Sequence, residues 1–180
     1  MNLLFGYGSL LSPASASTTL RRQLAIADFR CASIVGYRRT WTAAANVQVA
    51  TGSGYESKRA LFLDLSPSND SICNGALIEI TDDELTQLDI RERQYERVVV
   101  QAHLPTSSVS AFTYMVPTAT KSTNGIVLAR YLALVREGLT NYPSDFRHCF
   151  WSSTDTPPGP LIDGSYTFSD AQQNSAAGYK

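Results

Sequence analysis

Short apolar runs separated by glycine, proline and polar turn residues recur along the chain, and this pattern predicts strands joined by tight connections. The first run, Leu3-Leu4-Phe5, predicts a buried strand that leads into the glycine-containing loop Gly6-Tyr7-Gly8-Ser9-Leu10. Ser12-Pro13 then predicts the N-terminus of a helix, because serine caps helices and proline fits their first turn. The expected order is therefore strand, tight loop and helix.

Five further segments are rich in apolar and β-branched residues, which predicts strands. They cover residues 31–41, 59–63, 75–80, 95–100 and 111–116. In the third of them, Ala76, Ile78 and Ile80 share one face and are expected in the core. Residues 46–58 contain Gly52-Ser53-Gly54 and few large apolar side chains, and we expect a flexible loop there.

Helical signals lie between these strands. Leu20, Leu24 and Ala27 recur at helical spacing and predict that the first helix extends to about residue 27. Thr81 and Glu84 have the spacing of a capping box, which predicts a helix over residues 82–91. An amphipathic pattern over residues 128–139 predicts another helix, which ends near Gly138. Turns are predicted at residues 69–71 and at Asp163-Gly164, and the prolines of residues 157–160 are expected to break regular structure.

Strands that cluster with few intervening helices favour an α+β protein over a doubly wound one. We expect a small domain with a mixed, β-barrel-like sheet flanked by helices. The chain has 180 residues, which fits one domain over residues 1–170, and the small and polar residues 171–180 predict a flexible tail.

Composition and charge exclude several classes of partner. Lys and Arg number 15 against 16 Asp and Glu, so no basic field attracts nucleic acid or an anionic membrane. No apolar run approaches the ~20 residues that span a bilayer, and no signal peptide precedes the first strand, so we expect a cytoplasmic protein. The residues do not define an oligomeric state.

Metal and cofactor chemistry is not indicated either. Cys31, Cys73 and Cys149 are widely spaced, and only His103 and His148 supply imidazole, so we expect neither a zinc site nor a disulfide framework. Buried structural cysteines are a better interpretation than a thiol–imidazole pair. The glycine loop is neither a Walker phosphate loop nor a dinucleotide fingerprint, and no cofactor is expected.

Two segments are candidates for chemistry. Glycines in the loop at residues 6–10 let successive N–H groups point into an anion-accepting nest, although an ordinary strand-ending turn explains the pattern equally well. Asp89, Glu92 and Glu96 are close enough in sequence to raise one pKa if partly buried. Neighbouring arginines at 91, 93 and 97 offer ion pairs, so a solvated, charge-mixed face is the favoured interpretation from the residues alone.

The combination of these segments resembles the γ-glutamylcyclotransferase-like superfamily, which includes the AIG2-like proteins. The resemblance rests on Phe5-Gly6-Tyr7-Gly8-Ser9-Leu10, on the strand at 75–80, and on Leu88-Asp89-x-x-Glu92-x-x-Tyr95-x-Arg97. It continues through the strand at 113–116 and the helix at 131–139, and covers about residues 3–150.

The resemblance implies an enzyme that cyclises the γ-glutamyl group of a small amine, amino acid or peptide to 5-oxoproline. It also implies that Tyr7, Gly8, Ser9 and Leu10 line a substrate cavity and that Glu92 is the catalytic acid/base. Tyr114 is a further candidate, because a strand tyrosine can aim its hydroxyl into a pocket as an oxyanion donor. Neither a metal nor a cofactor is implied.

Two other functions stay open at this point. The first is a non-catalytic domain that keeps the cavity to bind an acidic small molecule, because a fold does not establish turnover. The second is an amidase-like hydrolase in which Glu92 activates water. A Ser9 nucleophile is disfavoured, because no Gly-x-Ser-x-Gly elbow surrounds it.

Overall fold

The structure is a computed structural model of the chain and describes residues 2–170 and 174. The predicted tail over residues 171–180 lies outside the described residues except for Asn174.

Five strands form a closed barrel, and three short strands extend it. The barrel strands are β1 (Asn2–Gly6), β2 (Arg30–Thr51), β3 (Gly54–Ile80), β4 (Glu96–Leu104) and β5 (Ser107–Met115). They are paired in the order β3-β1-β5-β4-β2, and β2 pairs with β3 to close the ring. The β1–β5 pair is parallel, whereas the other barrel pairs are antiparallel. The expected α+β architecture with a mixed, barrel-like sheet is therefore confirmed.

The flexible loop expected over residues 46–58 is wrong, because these residues form the end of a long β2–β3 hairpin. Pairing continues without interruption from Asn46 opposite Arg59 to Thr51 opposite Gly54. Two observations explain the hairpin. Ala45, Val47 and Val49 alternate with less buried residues, and Gly54 has a φ of +133°, which a glycine adopts readily. Residues 52–53 therefore form a two-residue turn and not part of a longer loop.

The turn predicted at residues 69–71 lies inside β3. There the register with β2 passes from Pro67 opposite Tyr37 to Ile72 opposite Val35. Gly36, with a φ of +86°, stands between the two registers. The polar segment is thus an excursion of one strand and does not separate two strands.

Four α-helices accompany the barrel: α1 (Pro13–Leu20), α2 (Asp82–Arg91), α3 (Ala129–Leu139) and α4 (Ser144–Ser152). The capping box of α2 is confirmed, since the Glu84 amide donates to the Thr81 hydroxyl at 3.2 Å and the Thr81 amide donates to the Glu84 carboxylate at 2.8 Å. Helix α1 is shorter than predicted, because Arg21 adopts a left-handed conformation with a φ of +53°. Helix α4 was not predicted.

The three extra strands are β6 (Ile126–Leu128), β7 (Leu161–Ile162) and β8 (Tyr166–Phe168). Strand β8 pairs antiparallel with β2, with Val47 opposite Phe168 and Val49 opposite Tyr166. The turn before it needs Gly164, whose φ is +130° and where a Cβ would lie 2.9 Å from the Ala50 oxygen. Short strands of this kind have too few residues to show a period in the sequence.

Alternate residues of the barrel strands pack into two separate cores. In β1, Leu4 belongs to the larger core and Phe5 to the smaller one. The smaller core takes side chains from all five barrel strands, which places it inside the ring. The larger core includes the predicted face of Ala76, Ile78 and Ile80 and side chains of all four helices. The helices therefore cover the outside of the barrel.

Candidate active site

A cavity of about 460 Å³ opens beside the loop that follows β1. Its wall combines this loop with residues from β2, β3, β5, β8 and helix α3, and with the segment that leaves α2. Most of the wall is apolar. Among the residues that the structure describes, the charged ones on this wall are Arg59, Arg91 and Glu92.

The loop residues predicted to line a cavity, Tyr7, Gly8, Ser9 and Leu10, all lie on its wall. Residues Ser9–Leu11 form one turn of 3-10 helix, in which the Leu11 amide donates to the Gly8 oxygen at 3.0 Å. The amides of Ser9 and Leu10 have no acceptor within residues 2–170 and 174, as is normal at the start of a helical turn. These N–H groups are available to an anion in the cavity.

A close contact with β3 fixes the start of this loop. A Cβ on Gly75 would lie 2.5 Å from the Gly6 oxygen and 2.5 Å from the Phe5 ring. Only glycine therefore fits at position 75 without displacing the strand that carries the loop.

Glu92 lies at the end of helix α2, where its amide donates to the Leu88 oxygen at 2.8 Å. Its side chain lines the cavity and is 15% exposed. The carboxylate lies 3.3 Å from the Arg91 Nε and forms no hydrogen bond within the part of the chain that the structure describes. Burial raises the pKa of Glu92, and the charge of Arg91 partly opposes this rise.

The other two carboxylates of the predicted cluster are in different environments. Asp89 pairs with Arg97 at 2.7 Å and accepts a hydrogen bond from the Tyr114 hydroxyl at 2.7 Å. Glu96 is exposed and does not line the cavity. The prediction of a solvated, charge-mixed surface is therefore correct for Asp89 and Glu96. It is wrong for Glu92, which lines the cavity.

Tyr7 and Tyr114 both line the cavity, but both hydroxyl protons are already used. The Tyr7 hydroxyl donates to the Tyr114 backbone oxygen at 2.7 Å, and the Tyr114 hydroxyl donates to Asp89. In this arrangement neither hydroxyl donates into the cavity, in contrast to the oxyanion role suggested for Tyr114.

Two tyrosines that the sequence analysis did not single out have a more suitable arrangement. The Tyr131 hydroxyl accepts a hydrogen bond from the Leu63 amide at 3.3 Å, which leaves its proton available. Tyr95 lines the cavity, and its hydroxyl forms no hydrogen bond within the described ranges. Burial raises the pKa of both tyrosines, and the nearby Glu92 adds to the rise, so both are neutral donors. The motif around Glu92 contained Tyr95, but nothing in the sequence distinguished Tyr131 from a core residue.

Arg91 connects the loop to the acidic side chain. Its guanidinium donates to the hydroxyls of Thr19 and of Ser9, the latter at 3.5 Å, while its Nε faces Glu92. The contact of Ser9 is therefore with a cation and not with a base, so the arrangement does not activate Ser9 as a nucleophile.

The cysteines are free thiols: Cys73 is buried, whereas Cys31 and Cys149 are exposed, contrary to the expectation that all three are buried. Among the described residues, no group of three or more His, Cys, Asp or Glu side chains is placed to hold a metal ion.

No helix in the same part of the chain combines the length and apolar character needed to cross a membrane.

The protein is a small α+β barrel with a loop-lined cavity and a buried carboxylate. Comparison with known families identifies one family that matches it. The family model described as gamma-glutamyl cyclotransferase, AIG2-like, matches residues 4–132. The chain therefore belongs to this family. No curated protein sequence matches it significantly.

Solved structures support the same fold. An uncharacterized protein from Homo sapiens aligns over 97% of both chains with 13% identity and a TM-score of 0.64. A structure titled gamma-glutamyl cyclotransferase aligns over 89% of this chain and 93% of its own, with 12% identity and a TM-score of 0.59.

Proposed function

We propose that this protein is a γ-glutamylcyclotransferase that releases 5-oxoproline from a small γ-glutamyl compound, with Glu92 as general acid/base. The proposal rests above all on the environment of Glu92. Glu92 lines the cavity, and burial raises the pKa of its carboxyl group. The carboxylate contacts Arg91 and has no hydrogen-bonding partner in the described residues. A carboxylate in this state can accept a proton from a bound substrate.

The same cavity offers a site for the substrate α-carboxylate. The free amides of Ser9 and Leu10 and the guanidinium of Arg91 are donors that suit an anion. Because Arg91 also contacts Glu92, an α-carboxylate bound there holds the adjacent α-ammonium group near the Glu92 carboxylate. This arrangement favours the proton transfer that starts the reaction.

The proposed reaction is intramolecular acyl transfer. Glu92 removes a proton from the α-ammonium group, and the amine nitrogen attacks the γ-carbonyl carbon within the same molecule. A new C–N bond closes the five-membered ring, and Glu92 passes its proton to the leaving nitrogen as the original γ-amide C–N bond breaks. The ring nitrogen then gives up its second proton through Glu92 to the released amine, so 5-oxoproline forms with one N–H and the amine leaves as an ammonium ion. The substrate supplies its own nucleophile, so these steps need neither a metal nor a cofactor.

The developing oxyanion needs hydrogen-bond donors that are not already engaged. Tyr95 and Tyr131 meet this condition, whereas the hydroxyls of Tyr7 and Tyr114 donate to other groups. We therefore assign the oxyanion role to Tyr95, to Tyr131 or to both.

We also propose a cytoplasmic location, because the free thiols suit a reducing compartment.

The test is mass-spectrometric detection of 5-oxoproline after incubation of the wild type and of Glu92→Gln with glutathione, γ-glutamyl dipeptides and a γ-glutamylamine. We expect release by the wild type and loss of release in Glu92→Gln. Substrates with an acetylated α-amine separate cyclisation from hydrolysis, because only hydrolysis can still release the amine. Tight binding of all substrates with no product would instead favour a non-catalytic binding domain.

A further inference from the structure

The residue after Glu92 forms an ion pair with the C-terminal part of the chain. The guanidinium of Arg93 contacts the carboxylate of Asp170. The Arg93 side chain is 43% exposed and the Asp170 side chain only 18%, so the pair lies at the surface with its acidic partner mostly covered. Neither belongs to the described residues that line the cavity. Any effect of the pair on the site must therefore pass through the two segments that it joins.

Asp170 follows strand β8, which carries part of the cavity wall. Tyr166 and Phe168 both line the cavity and, being two positions apart on one strand, share a face. This strand lies beyond the region that the family model matches. The Ser169 amide donates to the Asn46 oxygen of β2 at 3.0 Å, so the pairing with β2 extends to the residue before Asp170. Asp170 is therefore attached to a strand whose position is fixed by the barrel.

Arg93 belongs to the short segment that carries the proposed acid/base. The Glu92 amide completes the hydrogen bonding of helix α2, and the Tyr95 amide donates back to the Glu92 oxygen at 2.7 Å. Residues 92–95 thus form a turn, with Glu92 and Tyr95 both on the cavity wall. A turn beyond the end of a helix has few backbone bonds of its own, so contacts with neighbouring elements determine its position.

The two arginines that flank Glu92 contact different walls of the cavity. On one side, the Arg91 guanidinium donates to the Ser9 hydroxyl of the loop at 3.5 Å. On the other side, Arg93 pairs with Asp170 beyond the end of β8. Both sequence neighbours of Glu92 are therefore held, which limits the movement of its carboxylate. Placement matters here, because a shift of about 1 Å in a reacting group can cost about 10²-fold in rate.

We infer that Arg93 and Asp170 are positioning residues, which hold the turn that carries Glu92 against the C-terminal strand. The pair keeps the Glu92 carboxylate in place for proton transfer and does not itself touch the reacting atoms. This inference rests on the proposed function, because the pair acts through Glu92 as the acid/base. It makes the segment after β8, which lies beyond the matched family region, a part of the active site.

The first experiment measures kcat and KM of Arg93→Gln, Asp170→Asn and the double variant on each γ-glutamyl compound that the wild type turns over. We expect each single variant to lower kcat about tenfold and to change KM less than about twofold, because the pair places the acid/base and does not contact the substrate. The double variant should lose no more than either single variant, since both changes break the same contact. Arg93→Lys, which can still pair with Asp170, should stay within about threefold of the wild type.

A matched control and a pH profile separate placement from a general effect of charge. Arg30→Gln breaks an exposed ion pair with Glu79, and neither of these residues is among those described on the cavity wall, so kcat and KM should stay within about twofold. Placement lowers kcat at every pH and leaves its apparent pKa unchanged, whereas loss of a nearby charge shifts the apparent pKa. A shift that accounts for the whole loss of kcat would overturn the inference.

Hydrogen exchange gives a second readout that does not need turnover. Loss of the pair lets the end of β8 open more often, so the amides of residues 167–169 should exchange about threefold to fivefold faster in Arg93→Gln and in Asp170→Asn, but not in Arg30→Gln. Faster exchange in both variants, with no 5-oxoproline from any compound, would support the link and contradict the proposed reaction alone. Unchanged exchange in both variants, or losses of kcat that add in the double variant, would overturn the inference and leave the reaction intact.

Discussion

The Tyr7 hydroxyl donates a buried hydrogen bond of 2.7 Å to the backbone oxygen of Tyr114. This bond joins the loop at residues 6–10 to the end of β5, 107 positions along the chain. Tyr114 is held in turn by Asp89, which pairs with Arg97. The two tyrosines thus fix the cavity wall through bonds within the protein, and their hydroxyls act on the scaffold and not directly on a ligand.

Tyr7 and Tyr95 differ in their hydrogen bonds, so we expect Tyr7→Phe to affect stability and Tyr95→Phe to affect activity. Tyr7→Phe removes the donor to a buried carbonyl, and we expect a loss of about 1–3 kcal/mol in the free energy of unfolding. Tyr95→Phe removes a hydroxyl with no hydrogen bond in the described residues, so its stability should change by less than about 0.5 kcal/mol. Its kcat should fall about 10²-fold if Tyr95 is an oxyanion donor.

Urea unfolding and steady-state kinetics on the same preparations check both effects. A Tyr95→Phe variant with wild-type kcat would leave Tyr131 as the candidate donor, and Tyr131→Phe would then be measured in the same way. Unchanged stability of Tyr7→Phe would contradict the scaffold role of the Tyr7–Tyr114 bond.

The chain supplies its own control for the catalytic role of Glu92. Glu96 is four residues away, carries the same charge, and is exposed outside the cavity. We expect Glu92→Gln to lower kcat by about 10²–10⁴-fold, because it removes the group that accepts and returns the proton. Glu96→Gln should stay within about twofold of the wild type, since exposed charges outside a site contribute little.

Release of 5-oxoproline is the readout, and circular dichroism shows whether each variant is folded. Substantial activity in folded Glu92→Gln would remove Glu92 from the mechanism. Equal losses in both variants would point to the overall charge of this segment instead of a single acid/base.

Stability as a function of pH tests the raised pKa of Glu92 without reference to activity. Because burial raises its pKa in the folded state, folded protein binds more protons than unfolded protein between the usual value of about 4.3 and the raised value. Stability therefore falls as pH rises through this window, and ionised Glu92 destabilises the protein at neutral pH. Each pH unit between the two pKa values corresponds to about 1.4 kcal/mol.

Glu92→Gln removes this cost, so its Tm should exceed that of the wild type at pH 7. The difference should shrink as the pH falls toward the usual glutamate value. Thermal unfolding of both proteins from pH 4 to pH 8 measures it, with Glu96→Gln as the control that shows no such trend. A lower Tm of Glu92→Gln at pH 7 would mean that the contact with Arg91 outweighs the burial.

The local parts of this site could be predicted because their signals are contiguous. A strand followed by two glycines predicts the loop at residues 6–10. The capping box of Thr81 and Glu84 predicts the start of the helix that leads to Glu92. Both signals come from bonds between residues a few positions apart, which the sequence displays directly.

The distant walls of the cavity could not be predicted in this way. Tyr131 reaches the loop through tertiary packing of α3, and Tyr166 enters on a strand of three residues, so neither leaves a period or a motif. The β2–β3 hairpin was missed for a related reason, since its small residues suggested a loop. Its strands are held together by cross-strand pairing, which single-sequence propensity does not record.

Arg39 is the largest buried charged side chain in the described part of the protein, and it connects four segments of the chain. It is fully buried, and its guanidinium donates to the Tyr7 oxygen at 2.9 Å, to the Asn74 side chain at 2.9 Å, and to the Phe150 oxygen at 3.1 Å. It also stacks on the Phe150 ring at 3.8 Å. Burial lowers its pKa to about 10, so it stays charged at neutral pH.

A lysine cannot reproduce these bonds, because an ammonium group has neither the planar fork nor the face that stacks on Phe150. We expect Arg39→Lys to lose about 3 kcal/mol or more in the free energy of unfolding, since bonds to charged groups contribute about 1.5–3 kcal/mol each. The adjacent Arg38 is partly exposed and pairs with Asp155, so Arg38→Lys should lose less than about 1 kcal/mol. Urea midpoints with an unchanged m-value measure the difference. Equal midpoints for the two variants would contradict this expectation, because they would show that the bonds of Arg39 to Tyr7 and Phe150 add no more stability than the surface contact of Arg38.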